Sequence, residues 1–133
     1  MTLQQLNGHL DLVIQLQSAR ESLENLRAKI LGATNYDGMP HSSETSRKTE
    51  AFAVMLERQK DDVKRLERAV ANSETEVRLF VDDIADNRTK LIFSLRFLCG
   101  CKWEEVADLL GSKNTDDSVK HICYRYLEST GDA

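Results

Sequence analysis

The sequence predicts an all-α chain: a long antiparallel helical hairpin with coiled-coil character, then a C-terminal domain of three short helices. Three observations lead there. Apolar residues recur at 4-3-4-3 spacing from Phe52 to Ile84, broken only by two polar members, which is the heptad pattern of a helix packing along one narrow seam. A second helical period, at i, i+3, i+4 and i+7, runs through residues 88–127. One Pro and six Gly in 133 residues interrupt helices little, and 6% aromatic residues is low for a β-sandwich or barrel.

Taken in order, Thr2 and Gln5 form a capping box that opens a first helix over residues 3–31, with Gly32 as its stop. Its seam is Leu3, Leu6, Leu10 and Val13, then, after one shortened step, Leu16, Ala19, Leu23, Leu26 and Ile30, while Gly8 weakens the opening turns. Residues 32–45, GATNYDGMPHSSET, hold the sole Pro together with Asn35, Asp37 and Gly38, and so predict a loop. Tyr36, Met39 and His41 are expected to fold onto the helix ends beside it.

A second helix over about 46–85 carries Phe52, Leu56, Gln59, Val63, Leu66, Val70, Ser73, Val77, Phe80 and Ile84 along its seam. Gln59 and Ser73 are polar seam members of the kind that set register or oligomeric state. The first helix folds back over part of this seam. Being shorter, it leaves the rest to the C-terminal helices or to a second copy, so a homodimer through the long helices is expected.

The heptad stops near Asp86–Asn87, where either residue can cap a third helix that points Leu91, Ile92, Leu95 and Leu98 inward and ends at Gly100. Trp103, Val106, Ala107 and Leu110 form one apolar face of a fourth helix, closed by Gly111. Thr115 caps a fifth, with Asp116 and Asp117 in its first turn, where the helix dipole favours negative charge. That helix buries Val119, Ile122, Cys123 and Tyr126. The expected organisation is therefore 1–85 for the hairpin and 86–133 for the short helices, with Leu95, Trp103, Val106, Ala107, Leu110, Gly111, Val119, Ile122, Cys123 and Tyr126 as the latter's core. Small Ala107 lets two steeply crossing helices approach. Two helices joined in this way commonly present the second of them to the DNA major groove.

The residues carry a resemblance as well. LRFLCGCKWEEVADLLG followed by DSVKHICYRYL resembles region 4 of the sigma-70 family of RNA polymerase sigma factors. The matching positions are Leu95, Arg96, Phe97, Gly100, Trp103, Glu104, Glu105, Val106, Ala107, Leu110, Gly111, Val119 and Lys120. The whole chain, with its NYDGMPHSS loop, long charged helix and NTDDSVK segment, is similar to small phage and prophage proteins of Gram-positive bacteria regarded as sigma-like or late-gene transcription regulators. The resemblance implies a recognition helix at about 116–128, double-stranded DNA as partner and RNA polymerase as a second one. The chain departs from the sigma pattern in a longer turn over Ser112–Asp117, in Asp117 and Glu128 on the outward face, and in lacking a counterpart of the segment that reads the −10 element. On this reading Lys113, Asn114, Thr115, Ser118, Lys120, His121, Tyr124 and Arg125 are the candidate DNA contacts. The cations suit phosphate or guanine, and the small polar groups suit phosphate or base edges.

Charge tempers that expectation. The net charge is −4. Residues 1–85 hold 11 basic against 14 acidic residues, and residues 86–133 hold 7 against 8, so neither half is the basic body that supplies generic phosphate affinity. Any isolated DNA binding should therefore be weak, with help coming from a dimer or a second protein.

Other chemistry finds little support. Cys99, Cys101 and Cys123 are too few for a disulfide framework. With His121 they suggest a tetrahedral zinc set, yet Cys123 belongs on the inward face of its helix and His121 on the outward one, so reduced structural thiols are expected and no metal. Glu104 and Glu105 resemble a carboxylate pair for acid–base work, but a helix N-terminus explains them. There is no Gly-rich phosphate loop, His-Glu metal pattern or nucleophile beside a base. We therefore expect no enzyme, no cofactor and no small-molecule substrate. No apolar run is long enough to span a bilayer, and MTLQQLNGHLD lacks the features of a signal peptide. A cytoplasmic protein with no membrane partner follows. The expected function is a sigma-region-4-like DNA-binding regulator. The alternatives are a phage DNA-packaging protein of small-terminase type and a helical protein-interaction adaptor.

Overall fold

The computed structural model describes residues 1–34, 43–111 and 113–131, and among them there are helices and turns but no strands. Helix α1 spans Leu3–Thr34, α2 Ser43–Asp82, α3 Asn87–Phe93, α4 Trp103–Leu110 and α5 Asp116–Ser129, with a π-helical turn, Ser94–Leu98, continuing α3. The all-α architecture with a long N-terminal helix pair is as expected from the heptad seam. The loop motif NYDGMPH lies outside the described residues.

The capping box at the start of α1 is present. Thr2 N donates to Gln5 Oε1 (2.8 Å), and Gln5 N donates to Thr2 Oγ1 (3.2 Å). Gly32, in contrast, does not stop the helix, which runs on to Thr34. A single helical Gly costs about 1 kcal/mol relative to Ala, too little to end a helix whose Leu26 and Ile30 are still half-buried. At the far end of the pair, α2 stops at Asp82 rather than 85. Ile84 is therefore not a heptad position on a helix. It lies in the turn that follows, with its N–H bonded to Val81 O (3.1 Å), and is 3% exposed.

The chain divides into two compact units, Val13–Ala69 and Met1–Leu12 with Val70–Ala133. The division falls within both long helices, so their outer ends group with the C-terminal helices rather than with the rest of a 1–85 hairpin. In Val13–Ala69, Leu16 and Leu23 of α1 and Val63 and Leu66 of α2 are buried, flanked by half-buried Ala19, Leu26, Phe52, Leu56 and Gln59. Arg20 reaches across to Glu67 (3.3 Å). Rising numbers on α1 meet falling numbers on α2, which makes the pair antiparallel.

In the other unit, Leu6 of α1 and Val77 and Val81 of α2 share one core with Ile84, Ile92, Phe93, Phe97, Val106, Ala107, Val119, Cys123 and Leu127. Val81 lies outside the 4-3-4-3 series yet is buried. A helix packed against several neighbours buries a wider face than the narrow a/d seam of a two-stranded coil. Ring contacts tie this core together: Phe80 to Phe93 (5.6 Å), Phe93 to Tyr126 (5.5 Å), Phe93 to Phe97 (5.7 Å) and Phe97 to Trp103 (6.3 Å). These tilted and edge-to-face arrangements are the ones aromatic quadrupoles favour.

Candidate nucleic-acid interface

The candidate site is the outward face of α5, and its placement begins with α3. Asp86 caps that helix by accepting from Thr89 Oγ1 (2.6 Å) and Thr89 N (3.0 Å). These hydrogen bonds favour the ionised form and hold the Asp86 carboxyl below its ordinary range. The π turn then adds a residue to the helical repeat, with Cys99 N bonded to Ser94 O (3.0 Å). The inward set differs from the expected one. Ile92, Phe93 and Phe97 are fully buried, Leu95 and Leu98 are only half-buried, and Leu91 is 45% exposed. Gly100, at φ +72°, turns the chain into α4.

Helix α4 buries Val106 and Ala107, as its period predicts, while Trp103 and Leu110 are half-buried. Lys102 N donates to Glu105 Oε1 (3.2 Å), which gives Glu105 a capping role at the helix start. Gly111, exposed at φ +122°, makes the turn rather than filling the core. Asn114 N bonds Gly111 O (3.1 Å), and the Asn114 side-chain carbonyl accepts from Arg88 of α3. Thr115 and Ser118 then close a reciprocal cap: Thr115 N donates to Ser118 Oγ (2.9 Å) and Ser118 N to Thr115 Oγ1 (3.2 Å). Asn114, Thr115 and Ser118, all candidate contacts, are thus already engaged in fixing the turn.

Helix α5 is anchored by Val119, Cys123 and Leu127, each 1% exposed or less, with Ile122 and Tyr126 half-buried beside them. Burial pushes the Cys123 thiol up to about 12, so it stays protonated and inert at neutral pH. Opposite this anchor, His121, Tyr124 and Arg125 are exposed and Lys120 is half-buried, while Lys113 is exposed in the turn before the helix. Asp117 and Glu128 are also exposed on this side. His121 and Cys123 point to opposite sides of α5. Cys99 is exposed and Cys101 half-buried.

One group of contacts was not legible in the sequence. The Arg96 guanidinium lies over the Trp103 ring (4.9 Å to its centroid) and donates through Nη1 to Cys101 O (3.0 Å). Tyr124 also meets Trp103, ring edge to ring face at 6.4 Å. Trp103 therefore braces a side chain of the outward face in addition to packing the core. The Leu-Arg-aromatic run was visible in the sequence, but nothing in one dimension pairs Arg96 with Trp103.

No family model, curated protein or solved structure matches this chain. Among the described residues, no helix is long and apolar enough to cross a membrane.

Proposed function

We propose that the protein is a DNA-binding transcriptional regulator in which α5 is the recognition helix. The observation that carries this reading is the two-sidedness of α5. One side is locked into the core by Val119, Cys123 and Leu127, while His121, Tyr124 and Arg125 stand exposed with Lys120 at the margin. A side chain can discriminate base edges only if its helix is held still, and the Thr115–Ser118 cap and the Trp103–Tyr124 contact supply that rigidity. Lys120 and Arg125 suit phosphate or guanine, and His121 and Tyr124 add hydrogen-bonding capacity along the same face.

The test is a salt titration of Lys120→Ala and Arg125→Ala against a duplex selected from a random-sequence pool. Both should weaken binding. A residue reading a base edge should lose ~1–3 kcal/mol of discrimination, and one touching phosphate should lower the salt slope by ~0.9. Binding unchanged in both variants overturns the assignment.

A further inference from the structure

Residues Val13–Ala69 carry the opposite charge balance from the rest of the chain: 10 basic against 9 acidic residues, net +1, whereas residues 1–12 and 70–133 together hold 8 against 13, net −5. The surplus is concentrated in one place. A groove of about 460 Å³ between α1 and α2 is lined by Arg20, Arg27, Lys60 and Lys64, with Glu24 and Glu67 the only acidic residues on it and buried Leu23 and Val63 forming its floor. Glu67 is held by Arg20 (3.3 Å), and Lys60 is drawn to Glu57 (3.2 Å). Among the described residues, Arg27 and Lys64 have no carboxylate at ion-pair distance. Arg20 and Arg27 are seven residues apart, about 10 Å along α1, and Lys60 and Lys64 are about 6 Å apart along α2. The groove therefore has a row of cations on each wall.

We propose that this groove binds the phosphodiester backbone of duplex DNA, without reading sequence, through Arg27 and Lys64, with Arg20 and Lys60 in support. Leu23 and Val63 of the floor are themselves buried and present little apolar surface, so recognition falls to the cationic walls. Paired rows of cations suit a repeating anion better than a single one. The groove also supplies what the C-terminal helices lack: a net positive surface for counterion release. The proposal shares its partner with the reading of α5 but uses none of the α5 residues.

The experiment uses the full chain, a labelled ~20-base-pair duplex of arbitrary sequence, and fluorescence anisotropy from ~50 to ~200 mM salt. Arg27→Gln with Lys64→Gln is compared with Lys29→Gln plus Arg58→Gln, which removes the same charge from exposed positions outside the groove. The groove variant should bind about tenfold more weakly at ~50 mM salt and lose ~1.8 from the salt slope, two phosphate contacts' worth. The control should change much less, and circular dichroism should show unchanged helicity in both. Equal losses in the two variants, or none in either, overturn the proposal. Poly-glutamate binding at the groove in place of DNA overturns it too, in favour of an acidic protein partner. Lys120→Ala with Arg125→Ala on the same duplex and on the selected one separates the two readings. If the groove variant alone loses affinity, the groove stands and the α5 assignment falls; if the α5 variant alone does, the reverse holds.

Discussion

His9 shows how one residue can tie long helices in register. It is 3% exposed within α1, and its Nδ1 lies 2.7 Å from Ser73 Oγ on α2. The heptad pattern marked Ser73 as a polar seam member, but no spacing rule marked His9 as its counterpart. Burial lowers the His9 pKa from its ordinary 6.5, with Glu74 pulling weakly the other way. The folded state thus favours neutral imidazole. As pH falls through 6.5 the unfolded chain takes up a proton first, so stability should decline from there down to the lower folded-state value and be flat above neutrality. Urea midpoints at pH 7.5 and 5.5 check this. The wild-type midpoint should fall, and His9→Gln, whose amide can still bond Ser73, should remove the His-dependent part of the fall. Equal pH responses in the two proteins would refute the assignment. Asp86 also contributes stability that is lost on acidification, but only through the lower range of a depressed carboxyl, so the difference between the two proteins isolates His9.

At the scale of elements, the junctions determine what each helix shows. Phe97 lies in the core four residues after Phe93, while Leu91, in the α-helical part before the π turn at Ser94–Leu98, is left outside. Two apolar faces compete on this helix, Leu91–Leu95–Leu98 and Phe93–Phe97, and spacing alone does not choose between them. Gly100 closes the turn at φ +72° with open space where a Cβ would sit. Any cost of Gly100→Ala is therefore backbone strain with no steric clash, about 1–2 kcal/mol for a left-handed position. A denaturation midpoint unchanged by that substitution would show that the turn relaxes instead. Capping residues, in contrast, were readable directly. Thr2, Asp86 and Thr115 cap as a side-chain oxygen before a helix should, because capping is decided within four residues.

For the whole molecule, the C-terminal helices and the outer ends of α1 and α2 share one core, and Phe93 is at its centre. Its ring contacts Phe80, Phe97 and Tyr126, and it is fully buried. Phe93→Ala should cost about 3–5 kcal/mol. Because that core spans residues from Leu6 to Leu127, α5 should melt together with the start of α1 in one transition. Hydrogen exchange can check this: separate protection for Leu6 and Leu127 would mean the core is not one cooperative unit. The two proposed roles fall to different units. The acidic unit offers a rigid, two-sided helix, and the basic unit offers the cation-lined groove.

The all-helical class, the paired long helices, the caps and the anchoring face of α5, apart from its third buried anchor Leu127, follow from local order. Periodicity and capping act over a few residues, so a linear sequence records them. Which residues meet across the chain does not follow in that way. His9 with Ser73, Arg96 over Trp103, Val81 in the core and the four cations of the groove are brought together by packing between segments tens of residues apart, and only the folded chain decides those meetings.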